Sequence, residues 1–162
     1  MTTGRTDRAG DRTDVATHQR AGAGQRASRE EAPMPSQPMS NDPPPLRLSV
    51  RAAPPGQVVA IHGALDLNTA THLEHEVVKV CRQENPPLVI MDMSGVEFCD
   101  SSGLSSLVRV WRQIDRDGGA LALIGLHGTC EQLLRRTGLL GRIFPTHPTL
   151  AQAQEALART RR

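Results

Sequence analysis

Leu88-Val89-Ile90-Met91 is a continuous apolar run that leads through Asp92-Met93-Ser94-Gly95-Val96 to Phe98-Cys99-Asp100-Ser101-Ser102-Gly103-Leu104. Four consecutive apolar residues ahead of a polar, glycine-containing turn read as a strand covered on both faces, the condition of a sheet with helices packed on it. The residues beyond the turn change period. Leu104, Leu107, Val108, Trp111 and Ile114 fall on one stripe of a helix that starts near Ser101, and Asp117-Gly118-Gly119 stops it. A second apolar run, Ala120 to Ile124, follows at once. Strand, helix and strand in this spacing form a parallel unit with a crossover.

The pattern extends in both directions. Upstream, Leu46, Leu48 and Val50 alternate with polar residues, Pro54-Pro55-Gly56 marks a turn, and Val58 to Leu65 reads as a second strand, so the two form a hairpin. A helix follows. Asn68 or Thr69 caps its start, Ala70, Leu73, Val77, Val80 and Cys81 share one face, and Pro86-Pro87 ends it. Downstream, a short helix is expected over Glu131 to Arg136 with Gly138 as its C-terminal cap, a last short strand at Ile143-Phe144, and a terminal helix capped near Thr149 with Leu150, Ala153 and Leu157 inward. The order β-β-α-β-α-β-α-β-α predicts an α/β fold, a mixed, mostly parallel sheet flanked by helices. Its expected core includes Val59, Ile61, Leu73, Val77, Val89, Met91, Leu107, Trp111, Leu121, Leu123 and Leu134.

Composition narrows the function classes. The chain has 162 residues, with 19 Lys and Arg against 17 Asp and Glu, a net charge of +2. That balance, with two Phe, one Trp and no Tyr, lacks both the basic face and the stacking aromatics of a nucleic-acid binder, so no direct nucleic-acid contact is expected. No run of about 18 apolar residues is present, so no membrane span is expected. The N-terminus has no apolar stretch of the secretory type. Cys81, Cys99 and Cys130 are odd in number and widely spaced, which argues for a reducing, cytoplasmic setting and for buried or incidental thiols rather than a disulfide framework. Residues 1–45 carry no hydrophobic periodicity and end in Asp42-Pro43-Pro44-Pro45. They are read as a disordered tail, and residues 46–160 as the folded domain.

Catalytic patterns are missing. There is no G-x-S-x-G elbow around Ser101 or Ser102, and His127 and His147 follow no triad pattern. Neither a phosphate-cradling loop nor a dinucleotide fingerprint occurs, so no cofactor is expected. His72 and His75 are three apart on a helix and flank the inward Leu73, which reads as a solvated polar face rather than a metal site. The sharpest local feature is Asp100-Ser101-Ser102-Gly103-Leu104. A serine at a helix N-terminus meets the positive end of the dipole and free N–H groups, which favour an anion. Gly103 leaves room for close approach by another molecule. On these five residues alone, plain helix capping by Asp100 or Ser101, with Gly103 packed on a strand, is the stronger reading.

Four segments, in order, resemble the STAS domains, and within them the bacterial anti-sigma factor antagonists. Gly63-Ala64-Leu65-Asp66 with Thr69-Ala70 is similar to G-x-L-D-x-x-T-A. The strand Leu88 to Met93 runs into Ser94-Gly95-Val96. Phe98 to Leu104 is similar to F-x-D-S-S-G-L. Leu133-Leu134-Arg135-Arg136-Thr137-Gly138-Leu139 leads to Ile143-Phe144-Pro145. The resemblance spans Leu46 to Leu157. It implies a STAS fold and a non-enzymatic binding protein. Such a protein, unphosphorylated, binds an anti-sigma factor that is also an ATP-dependent serine kinase, and so frees a sigma factor. It further implies that the kinase phosphorylates Ser101, that the modified protein lets go, and that a serine phosphatase resets it. Asp66, Asp100, Ser101, Ser102 and Gly103 fall on the implied partner-binding positions. Cys99 stands where methionine is common, and Ser105-Ser106 where glycine or aliphatic residues are common. A STAS subunit of a stress-signalling assembly or of a lipid-transport complex is the alternative that the same resemblance allows.

Overall fold

A computed structural model describes residues 45–161. The reading of residues 1–45 as a tail, Pro45 apart, falls outside the described residues. The described elements are β1 (Arg47–Ala53), β2 (Gly56–Leu65), α1 (Leu67–Cys81), β3 (Leu88–Cys99), α2 (Ser101–Arg116), β4 (Ala120–Ile124), α3 (Gly128–Arg136), β5 (Thr146–His147) and α4 (Leu150–Thr160). The order of strands and helices is the one the sequence predicts.

The five strands lie side by side in chain order. β1 and β2 form an antiparallel hairpin through Pro54-Pro55, and the pairs β2–β3, β3–β4 and β4–β5 are parallel. Parallel neighbours in chain order, joined by crossovers of one hand, put every crossover helix on one face. The core divides accordingly. Val59, Ile61, Val89, Met91, Leu121 and Leu123 join Leu73 and Val77 of α1, Leu107 of α2 and Leu134 of α3 in one cluster. The alternate residues Val58, Leu88, Ile90, Ala122 and Ile124 meet Ala153 and Leu157 of α4 on the opposite face. The continuous apolar run at Leu88–Met91 therefore serves two layers, since successive side chains of a strand point to opposite faces.

The helices follow their apolar faces. All five inward residues predicted for α1 are its buried residues, and burial of a side chain such as Leu73 contributes about 1.5–3 kcal/mol. Its cap differs from the expectation. Asp66, not Asn68 or Thr69, is the N-cap residue, and Thr69 completes a capping box by accepting the Asp66 N–H at 3.0 Å. α1 also stops at Cys81, ahead of Pro86-Pro87. On α2 Leu104, Leu107 and Ile114 are buried as expected, Val110 is buried with them, and Trp111 is half-buried and packs against the core cluster. Period 3.6 permits either residue between Leu107 and Ile114, and the smaller Val110 takes the inward place. α3 starts at Gly128, three residues earlier than expected, and ends as predicted. Gly138, at φ +70°, lets Gly138 N–H reach the Arg135 carbonyl at 3.2 Å and Leu139 N–H reach that of Leu134 at 3.0 Å.

Two strands depart from the prediction. β3 runs to Cys99, well past the apolar stretch, and β5 is Thr146–His147 rather than Ile143-Phe144. Phe144 is instead a fully buried plug from the segment between α3 and β5. α4 is capped by Thr149 as predicted and is tied to the β1–β2 turn by Gln154 Nε2, which donates to the Pro54 carbonyl at 2.7 Å. Among the described residues no helix is long and apolar enough to cross a membrane.

Candidate functional site

The predicted site residues come from the C-terminal ends of β2 and β3, the two central parallel neighbours. Leu65 and Cys99 are register partners, so the residues that follow them, Asp66 and Asp100, begin α1 and α2 side by side. Each aspartate is in extended conformation and each caps its own helix. Asp66 Oδ1 accepts from the N–H groups of Asn68 at 2.9 Å and Thr69 at 3.1 Å. Asp100 Oδ1 accepts from those of Ser102 at 2.8 Å and Gly103 at 2.9 Å. Such caps contribute about 1 kcal/mol each. The two segments are also tied to one another, because Asp100 N–H donates to the Leu65 carbonyl at 3.1 Å.

Gly103 explains why these two motifs occur together. It is buried, and a Cβ built on it would overlap the Leu65 carbonyl oxygen. The first turn of α2 therefore lies directly on the end of β2, a distance only glycine permits. Of the five residues assigned to the partner surface, Gly103 lies inside and serves this internal approach. Its absent side chain leaves room for Leu65, not for another molecule. Gly103→Ala is expected to destabilise the domain by about 1–3 kcal/mol, since the overlapping atom is backbone and cannot swing away. Chemical denaturation with unchanged slope would measure it, and a neutral result would contradict the packing described.

Ser101 is exposed and is the first residue of α2, while Ser102 is half-buried. Among the described residues, neither hydroxyl has a hydrogen-bond partner, and the Ser101 carbonyl accepts from Ser105 Oγ at 2.8 Å. The neighbouring N–H groups are not free, contrary to the expectation for an anion site. Asp100 already holds those of Ser102 and Gly103. A group added to the exposed Ser101 side chain would project into solvent.

Sequence reasoning assigned no surface role to two neighbours. Leu67 is 74% exposed and Phe98 47% exposed, and they stand beside Asp66 and Asp100 in the chain. Leu67 precedes the apolar stripe of α1, and Phe98 lies in a polar part of β3, so neither belongs to a periodic pattern. Asp66, Glu97 and Asp100 share this end of the sheet, and none of them takes part in an ion pair among the described residues, where the pairs are Lys79–Glu76, Arg109–Glu74, Arg135–Glu131 and Arg159–Glu155. This end of the sheet thus carries three acidic residues, two exposed apolar side chains and the exposed Ser101 hydroxyl. His72 and His75 are both exposed on α1.

Comparison with known proteins agrees with this architecture. The family described as STAS domain matches residues 48–153. A Bacillus subtilis protein named as a sulfate transporter, YvdB, is 30% identical over 100 residues, which are 62% of this chain and only 19% of that protein. The anti-sigma F factor antagonist of Paenibacillus polymyxa is 23% identical over 90 residues, covering 56% of this chain and 76% of the relative. Among solved structures, an anti-sigma factor antagonist from Mycobacterium paratuberculosis superposes with a TM-score of 0.61 at 27% identity, over 70% of this chain and 94% of that one. The Bacillus cell fate determinant SpoIIAA in its phosphorylated form superposes with a TM-score of 0.52 at 18% identity, over 68% and 97%. With the matched residues running from within β1 to α4, the chain belongs to the STAS domain family.

Proposed function

We propose that the protein is an anti-sigma factor antagonist. Unphosphorylated, it binds an anti-sigma serine kinase in the cytoplasm and frees a sigma factor. Phosphorylation of Ser101 by that kinase inactivates it, and a serine phosphatase restores it. The observation that carries the reading is the exposed Ser101 hydroxyl at the first position of α2, without a hydrogen-bond partner among the described residues, next to the half-buried Ser102. Asp66, Asp100 and Ser102 surround it and belong to the same docking surface, with Gly103 beneath it. The antagonist relatives support the reading at the level of the whole domain, since the chain covers most of their length. The decisive experiment is phosphopeptide mapping after incubation with the cognate kinase and ATP. Phosphate on Ser102 alone would overturn the assignment.

A second reading is a STAS subunit of a transport or stress-signalling assembly, favoured by the 30% identity to YvdB. Co-purification with a membrane transporter in place of an ATP-binding kinase would select it. Under either reading the chain acts by binding. Purified protein is expected neither to hydrolyse ATP nor to cleave activated esters above background, and esterase activity abolished by Ser101→Ala would reverse that view.

A further inference from the structure

Among the described residues β1 is an edge strand, with β2 on one side and no strand on the other. It runs for seven residues, and all of Arg47–Ala52 except the half-buried Leu48 are exposed. The opposite edge of the sheet, β5, has only Thr146–His147 and is too short to take another strand. In an edge strand every second residue turns its N–H and C=O away from the sheet, where a further strand can bond to them.

The side chains of β1 sort by register. Leu48 and Val50 lie opposite Ile61 and Val59, so they share the face of α1 and α2, where Val50 stays 44% exposed. Arg47, Ser49 and Arg51 lie opposite His62, Ala60 and Val58, on the face of α4. Their register partners on β2 include no carboxylate, and neither arginine takes part in an ion pair among the described residues. The edge therefore presents two cations on one face, about 13 Å apart over four residues at about 3.3 Å each. Between them, on the other face, stand two apolar side chains.

We propose that the β1 edge binds an extended acidic segment of another protein as an added strand. The occupant follows from the spacing and the charge. It carries Asp or Glu opposite Arg47 and Arg51 and apolar residues opposite Leu48 and Val50. Its pattern is acidic, apolar, any, apolar, acidic, which reads the same in either direction. A helix does not match, because residues four apart on a helix are only about 6 Å from one another. A second copy of this chain does not match either. β1 holds no carboxylate, so no register of self-pairing gives its arginines an opposite charge. Antiparallel pairing about Ser49 would set Arg47 against Arg51 of the second copy, and like charges directly opposite are destabilising. The main-chain bonds supply affinity, and the charges select the partner. The inference does not rest on the reading of Ser101.

The test titrates the full-length chain into a fluorescein-labelled peptide, T-T-E-V-T-V-E-T-T, by fluorescence polarisation, and maps the contact by amide hydrogen exchange. Saturable binding is expected, with slowed exchange confined to residues 47–52. Arg47→Glu combined with Arg51→Glu should weaken it by about tenfold or more, since two attractive cross-strand pairs become repulsive. The same double variant should bind T-T-K-V-T-V-K-T-T, which the wild-type chain should not, and that gain shows that the variant is folded. Absence of saturable binding, equal binding of T-T-E-E-V-V-T-T-T, which keeps the charge and loses the alternation, or slowed exchange outside β1 would each overturn the proposal. So would unchanged affinity in the double variant, or sedimentation of the peptide-free chain as a dimer that the double variant breaks.

Discussion

Ser101→Ala is expected to bind the anti-sigma kinase equally well with and without ATP, while the wild-type chain loses binding as phosphate accumulates on Ser101. The magnitude follows from charge. A phosphoserine carries about −1.5 to −2 charges at neutral pH. Facing one negative charge of the partner at about 6 Å, it is repelled by about 1 kcal/mol at the screening of bulk water and by about 5 kcal/mol at an effective dielectric near 20. At about 1.4 kcal/mol per factor of ten, affinity falls by about fivefold to several thousandfold, and an interface that excludes water lies toward the larger figure. The local structure adds to this. The Ser102 and Gly103 N–H groups that would compensate a phosphate are already bonded to Asp100, which leaves the new charge to face the partner. Ser101→Asp should bind poorly but better than the phosphorylated protein, since it brings one charge. Ser102→Ala should still accept phosphate. Titration of each form against the kinase, with circular dichroism as a check on the fold, measures all three. A phosphorylated protein that binds as tightly as the free form would show that the sign of the switch is wrong.

Why the motifs were legible while parts of the fold were not can be argued from particular residues. The faces of α1 and α4, the bounds of β4 and the Gly138 cap all rest on local rules, a period of 3.6, an apolar run and a left-handed residue, and these appear in the sequence as they do in the structure. β3 extends past its apolar run into Ser94 to Phe98, which has no strand pattern. It stays in the sheet through pairing with β2, with register shifts between Ala60 and His62 and between Gly63 and Ala64. That pairing is a long-range fact. The same holds for the site. The resemblance pointed to Asp66 and Asp100 separately, but only the Leu65–Cys99 register brings them together, and only packing shows that Gly103 faces inward. The one-sided helix layer is a consequence of strand order, which the sequence pattern leaves open.

Phe144 offers the largest stability effect. The segment Leu139–Pro145 was expected to hold a strand, and instead it folds back on the end of α3. Leu140 and Phe144 form an isolated bridge, Phe144 N–H donates to the Leu139 carbonyl at 3.1 Å, and Gly141 N–H donates to the Phe144 carbonyl at 2.9 Å. This closed loop points the ring into the cluster that contains Cys130 and Leu134 of α3. It also delivers the Pro145 carbonyl to Leu123 N–H at 2.8 Å, which begins the β4–β5 pairing. Phe144→Ala therefore removes a fully buried ring and loosens the only segment that leads to β5. The cost is expected at about 3–5 kcal/mol, a large part of the roughly 5–15 kcal/mol that holds a domain together. The midpoint of thermal unfolding should fall by about 10–20 °C. Leu67→Ala is the matched control, because that side chain is three-quarters exposed and its loss should change stability by no more than about 0.5 kcal/mol. Denaturation of both variants side by side separates buried volume from hydrophobicity as such. Equal costs for the two, or a Phe144→Ala domain that melts with the wild type, would mean that the ring does not fill the core beneath α3.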